Sequence, residues 1–349
     1  MKEKTKTFFK EFGKAAFQVG KEVSPYILTH QVMKKVFYKY TETDPFLLFD
    51  INDFPNLVSE REVFNNGTND LVGYFYHYEN YRDNKVIIFA HGYGNGHRRY
   101  LDVIDYLCQK GFLVFSYDMT SFDESVAPGI RSFVQGVIDL ENAIDFVSNK
   151  SKYKGLPISL MGHSWGAYSV STVLNVCPNI ESVVEVSGFN SSEELIRIHK
   201  EEYAGEDAPS VEPYISTYEE YYFGRYAKFT AISGFNSTSA KILCIHSEDD
   251  KTVPIDAGLN HYKKDFNKNP RFDFKTLKNS GHGEVFYSKV GRDYYAFIRN
   301  QYNEQFKKFK DATKEDRRIY LDSIIDKSIF LNMLDQNLMD YIYDFLSKK

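Results

Sequence analysis

Ser164 is the residue whose surroundings point most directly to chemistry. It lies in Gly162-His163-Ser164-Trp165-Gly166, a G-x-S-x-G pattern. An apolar run over 158–161 predicts a buried strand before it, and a helical pattern over 167–176 follows it. A serine on a sharp turn between strand and helix exposes its Oγ, and flanking glycines let the two elements cross closely. The pattern predicts a nucleophilic serine. A motif this short also arises by chance, so the prediction depends on whether the chain also offers a base and a carboxylate.

The elements that must position this serine alternate along the chain. Apolar runs predict strands, and helical periodicity predicts helices over 100–109, 131–148, 167–176 and 337–346. The predicted strands cover 61–64, 71–78, 86–90, 112–117, 158–161, 182–186, 241–246 and 272–277. Strands that alternate with helices predict an α/β fold with a mostly parallel central sheet and helices on both faces. Ligands of such sheets bind at the carboxyl ends of the strands.

One connection is much longer than the others. More than fifty residues separate the strands that end at 186 and begin at 241. Ser191 and Glu194 form a capping-box pattern that predicts a helix, and many tyrosines follow. Connections this long are usually functional, so we predict a helical cap insertion at about 190–238. The alternative is a surface insertion that packs against the sheet edge.

The N-terminal segment predicts a helix of its own. Residues 1–21 contain six Lys and two Glu, with apolar residues at helical spacing. We expect an amphipathic helix that packs against its own domain, with weak contact to a membrane surface as the alternative. The predicted organisation is therefore an N-terminal helical extension over 1–50 and one domain with its cap over 51–349.

Composition excludes several classes of protein. The 349 residues carry a formal net charge of −5, which argues against a nucleic-acid binder. No apolar run is long enough for a membrane span, and the charged N-terminus does not resemble a secretory signal. Three separate cysteines fit reduced thiols and predict a cytoplasmic protein. No C-x-x-C or H-E-x-x-H pattern supports a metal site.

Four short motifs, each after its own predicted strand, give the chain a resemblance to a known superfamily. They are His91-Gly92-Tyr93-Gly94, the pattern around Ser164, Asp250-Lys251-Thr252-Val253-Pro254, and Gly281-His282-Gly283. Together they resemble the α/β-hydrolase superfamily, in its serine esterase or lipase-like form, over roughly residues 60–300 and the final helix. The order serine, aspartate, histidine is the order of that superfamily.

The resemblance implies a role for each matching residue. Ser164 would be the nucleophile, His282 the general base and Asp250 the carboxylate that orients His282. Asp249 and Glu248 compete with Asp250 for that role, and a solvated loop is the other interpretation of these two acids. The backbone N–H groups of Tyr93 and Trp165 would form the oxyanion hole. The side chain of His163, next to the serine, is expected to point away from it.

Such a site predicts a serine hydrolase that cleaves carboxylic esters through an acyl-enzyme, as a carboxylesterase or lipase does. Its partner would be a small-molecule ester or acyl substrate, and the mechanism needs no cofactor and no metal. The first alternative is a peptidase or amidase of the same fold, with acidic cap residues such as Glu193 and Glu201 holding a substrate ammonium. A non-catalytic binding protein is less favoured, because a binder gains nothing from keeping all three residues. The sequence makes no prediction of oligomeric state.

Overall fold

The computed structural model describes residues 25–82 and 84–348. Helix α1 covers residues 25–37, and two 3-10 turns follow at Pro45–Leu47 and Ile51–Asp53. The amphipathic helix predicted over 1–21, with its proposed membrane contact, lies outside the described residues. Among the residues that the structure describes, no helix combines the length and apolar character needed to cross a membrane.

The centre of the fold is an eight-stranded sheet in the order β1-β2-β4-β3-β5-β6-β7-β8. The strands are β1 Val58–Asn65, β2 Asp70–His77, β3 Val86–Ala90, β4 Leu113–Tyr117, β5 Ile158–His163, β6 Ser182–Val186, β7 Lys241–Ser247 and β8 Phe272–Leu277. Strand β2 pairs antiparallel with β1 and β4, and all pairs from β4 to β8 are parallel. The predicted α/β class and mostly parallel sheet are therefore confirmed.

Helices cover both faces of this sheet, which explains the unbroken apolar strands. In β3, the side chains of Val86, Ile88 and Ala90 join the core on one face, and those of Ile87 and Phe89 join the core on the other. The helices of the main body are α2 Leu101–Gln109, α3 Gln135–Asn149, α4 Trp165–Thr172, α10 Leu259–Phe266, α11 Lys289–Lys308, α12 Lys314–Ile324, α13 Lys327–Phe330 and α14 Gln336–Ser347.

Helix α11 is the largest element that the sequence did not predict. It has 20 residues, and its buried stripe contains Tyr295, Ile298, Tyr302 and Phe306. Tyrosines occupy buried positions of this helix, and charged residues lie between them. The hydropathy of the segment therefore shows only a weak helical period. Helix α3 also begins four residues later than the pattern suggested, at Gln135.

The insertion between β6 and β7 folds into short helices. They are α5 Ser192–Ile198, α6 Lys200–Ala204, α7 Ala208–Val211, α8 Ile215–Phe223 and α9 Ala231–Ser237. We refer to residues 190–238 as the cap. Helix α1 packs against it, because Thr29 Oγ1 donates to the carbonyl of Val211 at 3.4 Å and the rings of His30 and Tyr222 lie 5.7 Å apart.

Candidate active site

Ser164 lies on a strained turn at the end of β5. Its φ of 56° and ψ of −116° are rare for a residue with a side chain, and such a conformation costs about 1–3 kcal/mol. The turn also depends on its two glycines. A Cβ at Gly162 would overlap the backbone of Gly166, and a Cβ at Gly166 would overlap the carbonyl of Ala90. The G-x-S-x-G spacing therefore follows from the close crossing of β5, β3 and α4.

Three predicted residues from three different loops meet at this turn. His282 Nε2 lies 2.9 Å from Ser164 Oγ, and His282 Nδ1 lies 2.7 Å from Asp250 Oδ2. Asp250 accepts a hydrogen bond from Nδ1–H of His282. In this tautomer Nε2 presents its lone pair to the serine hydroxyl. The geometry suits removal of the serine proton by His282.

Asp250 is buried and well supplied with donors. Its Oδ1 accepts from the backbone N–H groups of Thr252 and Val253, each at 2.9 Å. Burial alone would raise the pKa of this carboxyl, but hydrogen bonds from His246 and His282 outweigh it and hold the pKa well below its ordinary value. Asp250 therefore stays ionised at neutral pH.

The neighbouring Asp249 accepts hydrogen bonds from backbone N–H groups and not from the imidazole of His282. Its Oδ1 accepts from Ser247 Oγ at 2.6 Å and from the N–H groups of Ser280 and Gly281 at 3.1 and 3.2 Å. Asp249 thus fixes the segment that precedes His282. Asp249 is also exposed to solvent, as the solvated-loop interpretation expected, and its carboxylate bridges two loops in addition.

His163 differs from its prediction. Its ring lies against that of His282, with centroids 4.9 Å apart, and lines the same cavity as Ser164. Its Nε2–H donates to the carbonyl of His282 at 3.0 Å, so its Nδ1 accepts from Tyr100 Oη at 2.9 Å. Burial, then the nearby charge of His282, lowers the pKa of His163, which keeps it neutral. His163 therefore supports the loop that carries His282.

The two predicted oxyanion donors flank Ser164. Trp165 is the first residue of α4, and Tyr93 lines the cavity next to Gly92. Their side chains turn into an aromatic cluster, where the two rings lie 5.7 Å apart and Trp165 Nε1 donates to the carbonyl of Phe133 at 2.7 Å. Gly92 N–H donates to Tyr100 Oη at 3.2 Å, which anchors the loop just before Tyr93.

A cavity of about 180 Å³ opens onto Ser164 and His282. Sequence reasoning missed most of its polar lining, which comes from the loop after β3, the loop after His282 and helix α11: Asn95, Arg99, Tyr100, Glu284, Tyr295 and Arg299. Arg99 is buried and donates to the carbonyl of Gly283 at 3.3 Å and to Tyr287 Oη at 2.6 Å. No group of three or more His, Cys, Asp or Glu side chains in the described part of the chain could hold a metal ion.

Comparison with known proteins agrees with this fold. Residues 82–200 match the family described as serine aminopeptidase, S33. The chain is 26% identical over 167 residues to a monoglyceride lipase of Saccharomyces cerevisiae, covering 46% of this chain and 48% of the relative. It is 34% identical over 98 residues to a monoglyceride lipase homolog of Monkeypox virus, covering 27% of this chain and 34% of the relative. The chain thus spans half or less of the length of these curated relatives.

The similar solved structures cover a larger share of this chain than the curated relatives do. The esterase Pf2001 of Pyrococcus furiosus superposes with a TM-score of 0.53 at 17% identity, over 78% of this chain and 98% of that one. An acylaminoacyl peptidase of Pyrococcus horikoshii superposes with a TM-score of 0.50 at 16% identity, over 67% of this chain and 38% of that one. The fold is that of the α/β-hydrolases. The chain is a member of the α/β-hydrolase superfamily.

Proposed function

We propose that this protein is a serine hydrolase that cleaves small carboxylic esters through an acyl-enzyme. The observation that carries the proposal is the hydrogen-bonded series from Ser164 Oγ through His282 to Asp250, with the serine on a strained turn. A serine hydroxyl needs such a base to act as a nucleophile at neutral pH.

The proposed reaction has two halves. Ser164 Oγ attacks the ester carbonyl while His282 Nε2 takes its proton, and the carbonyl electron pair moves to oxygen. The intermediate then expels the alkoxide, which takes the proton from His282 and leaves as an alcohol. Water attacks the acyl-enzyme in the same way, with its proton passing through His282, and releases the carboxylic acid and Ser164. Asp250 stabilises the imidazolium that forms in each half.

The negative oxygen of each intermediate would be held by the N–H groups of Tyr93 and Trp165. The second of these is at the N-terminus of α4, where the helix dipole also favours negative charge. One such donor contributes on the order of 3 kcal/mol to the transition state.

Several carboxylates of the cap and of the cavity are already paired, which is the observation that favours ester cleavage over an aminopeptidase activity. An aminopeptidase needs a free carboxylate near the serine to hold the substrate ammonium. In the cap, Glu193 and Glu212 pair with Arg197 at 2.6 and 3.2 Å, and Glu202 contacts His199 at 3.1 Å. In the cavity, Glu284 pairs with Arg299 at 3.7 Å. Peptide or amide cleavage remains the second candidate, supported by the description of the matching family.

We further propose a cytoplasmic location. Cys108, Cys177 and Cys244 are free thiols, and Cys108 and Cys244 are buried. Free thiols are typical of proteins of a reducing compartment.

The test is hydrolysis of p-nitrophenyl esters, from acetate to palmitate, by wild type and by Ser164→Ala. We expect the substitution to lower kcat by about 10⁴-fold or more, because no other group can form the acyl-enzyme. The matched control is Ser169→Ala, whose hydroxyl donates to the carbonyl of Trp165 at 2.8 Å and should leave kcat nearly unchanged. Cleavage of peptide substrates but no ester would favour the second candidate, and equal activity in Ser164→Ala would refute the mechanism.

A further inference from the structure

Arg99 brings a buried positive charge to the cavity that opens onto Ser164. The residue is only 6% exposed, and it lines the same cavity as Ser164 and His282. Its guanidinium donates to Tyr287 Oη at 2.6 Å and to the carbonyl of Gly283 at 3.3 Å. These two bonds use only part of the five N–H donors of a guanidinium, so Arg99 can still donate to a further group.

The protein does not place a carboxylate directly on this cation. Among the residues that the structure describes, no carboxylate oxygen lies within 4.0 Å of a guanidinium nitrogen of Arg99. Asp102, in the first turn of α2, acts on Arg99 electrostatically, but burial raises the pKa of Asp102 to about 6 and this residue does not line the cavity. A group that enters the cavity therefore meets Arg99 and not Asp102.

The other charged groups of the cavity balance each other. Arg299 and Glu284 both line it, and their charged atoms lie 3.7 Å apart. The two histidines of the lining, His163 and His282, act as neutral imidazoles in the proposed reaction. Arg99 thus leaves one positive charge over, and a ligand with one negative charge would balance the cavity.

The cavity also contains a polar atom without a partner. Asn95 is part of its lining, and Oδ1 of Asn95 is buried with no hydrogen-bond partner in the described part of the chain. Buried polar groups are normally hydrogen-bonded, and a buried charge without a counter-ion is costly. An apolar group in this cavity would leave both Asn95 and Arg99 uncompensated, so the lining favours a polar, anionic ligand.

We propose that this cavity is an anion-binding subsite, and that the preferred substrates are small esters with one carboxylate that Arg99 binds and Arg299 attracts. A carboxylate suits the planar guanidinium and carries the single charge that the lining requires. The cavity of about 180 Å³ is smaller than the roughly 300–1,000 Å³ of sites that enclose larger ligands, so the carboxylate has to lie a few atoms from the ester. This inference rests on the serine hydrolase function proposed above.

The experiment compares esters that differ in charge but not in size. In one pair the charge is on the alcohol: the acetyl ester of glycolate against the acetyl ester of glycolamide. In the other it is on the acyl group: monomethyl succinate against methyl succinamate. Acid release at low ionic strength gives kcat/KM for each. We expect wild type to favour the anionic member of one pair by about tenfold or more, because hydrogen bonds to charged groups are the strong ones. The pair concerned identifies the part of the substrate that enters the cavity.

Three substitutions in the lining should change this ratio of anionic to neutral substrate with different signs. Arg99→Gln should lower it about tenfold or more, and Arg99→Lys, which keeps the charge, should lower it less. Arg299→Gln should lower it by about two- to fivefold, and Glu284→Gln should raise it by a similar factor. If Arg99 served only to hold the carbonyl of Gly283, its loss would reduce kcat/KM for both members of a pair equally.

Arg98 provides the matched control. It is the neighbouring arginine of the same loop, but it donates to the carbonyl of Phe49 at 3.0 Å, lies 3.5 Å from Asp50 and does not line the cavity. Arg98→Gln should keep the ratio within about twofold of wild type. If Arg99→Gln does not fold, the opposite effects of Arg299→Gln and Glu284→Gln decide, because both side chains are partly exposed.

Labelling of Ser164 by an ethyl fluorophosphonate separates the two proposals. If Ser164 is labelled but neither pair shows a preference for its anionic member, or the folded Arg99 and Arg299 variants keep the wild-type ratio, the anion-binding subsite is refuted and the nucleophile stands. If folded wild type is not labelled and cleaves no ester, the serine hydrolase function is refuted, and this inference with it. A preference that Arg99→Gln abolishes and Glu284→Gln strengthens supports the subsite.

Discussion

The carboxyl edge of the sheet and the cap are built in different ways. At the sheet edge, Ser164, Asp250 and His282 follow β5, β7 and β8, which belong to one continuous parallel register. The cap consists of helices of four to nine residues joined by 3-10 turns. The backbone of the sheet fixes the reacting atoms, and the cap depends on individual side-chain contacts.

This difference separates the residues that react from those that affect mainly the stability of the fold. Parallel strands hold each other along their length, so a loop at the end of one strand has a defined position relative to the next. Short helices have no such mutual support and are stable only when packed. We therefore expect substitutions at the sheet edge to change catalysis, and substitutions in the cap to change mainly stability.

The largest effect that would sharpen this comparison is expected at Asp250. Asp250→Asn should lower kcat by roughly 10³–10⁴-fold, because an amide no longer stabilises the imidazolium or fixes its tautomer. Asp249→Asn is the neighbouring control, since an amide oxygen can still accept from Ser247 and from the backbone of Ser280. We expect its kcat to stay within about tenfold of wild type. Steady-state ester kinetics measure both, and equal losses would mean that the two carboxylates share one role.

A smaller effect, on stability alone, is expected at Glu219 in the cap. This buried carboxyl accepts from Ser192 Oγ, and its second oxygen has no hydrogen-bond partner among the described residues. Burial raises the pKa of Glu219 from 4.5 to about 7, although the nearby hydroxyls of Ser192 and Ser132 act in the opposite direction. The folded protein thus favours the protonated form.

The sign of the pH dependence follows from this. A raised carboxyl pKa contributes stability below the ordinary value of 4.5 that is lost as pH rises through about 7. Glu219→Gln should therefore match wild type near pH 4 and unfold with a free energy up to about 3 kcal/mol higher at pH 8. Urea unfolding at both pH values measures this. Glu220→Gln, at an exposed neighbour, is the control, and a gain that does not depend on pH would contradict the explanation.

The smallest effect is expected where the cap touches the loop of Asp250. His199 Nε2 donates to the carbonyl of Thr252 at 2.7 Å. His199→Phe keeps a ring against Tyr203 but removes this bond, and should lower the free energy of unfolding by about 1 kcal/mol with little change in kcat. His199→Gln keeps a donor and should recover part of the loss. A large fall in kcat would show that the cap also positions the reacting groups.

Much of the fold and site followed from local sequence patterns. The strands 86–90, 182–186 and 272–277 were predicted to the residue. The strand 86–90 is a continuous apolar run, which marks a strand covered on both faces, and 272–277 shows the alternation of a partly exposed strand. Ser164, His282 and Asp250 stood out because a nucleophile, a base and a carboxylate each had a motif after a strand. Helix α11 was not predicted, because its buried stripe contains tyrosines within a polar segment.

Other features had no local signal. Nothing near Asp249 indicated that it would accept backbone N–H groups from residues 280 and 281. His163 was placed wrongly, because the partner of its Nε2 is 119 positions away in the chain. Phe37 lies far from every motif, and only the packing of α1 against the cap brings it to Tyr93.

The sequence by itself determined the parallel sheet and the residues able to react, since apolar periodicity and strained glycine turns are local properties of the chain. Only the tertiary structure decided which of two adjacent aspartates meets the imidazole and which aromatic rings pack around Tyr93. Those outcomes depend on where separate loops and helices come to rest against each other, and many sequences of the same local pattern could pack differently.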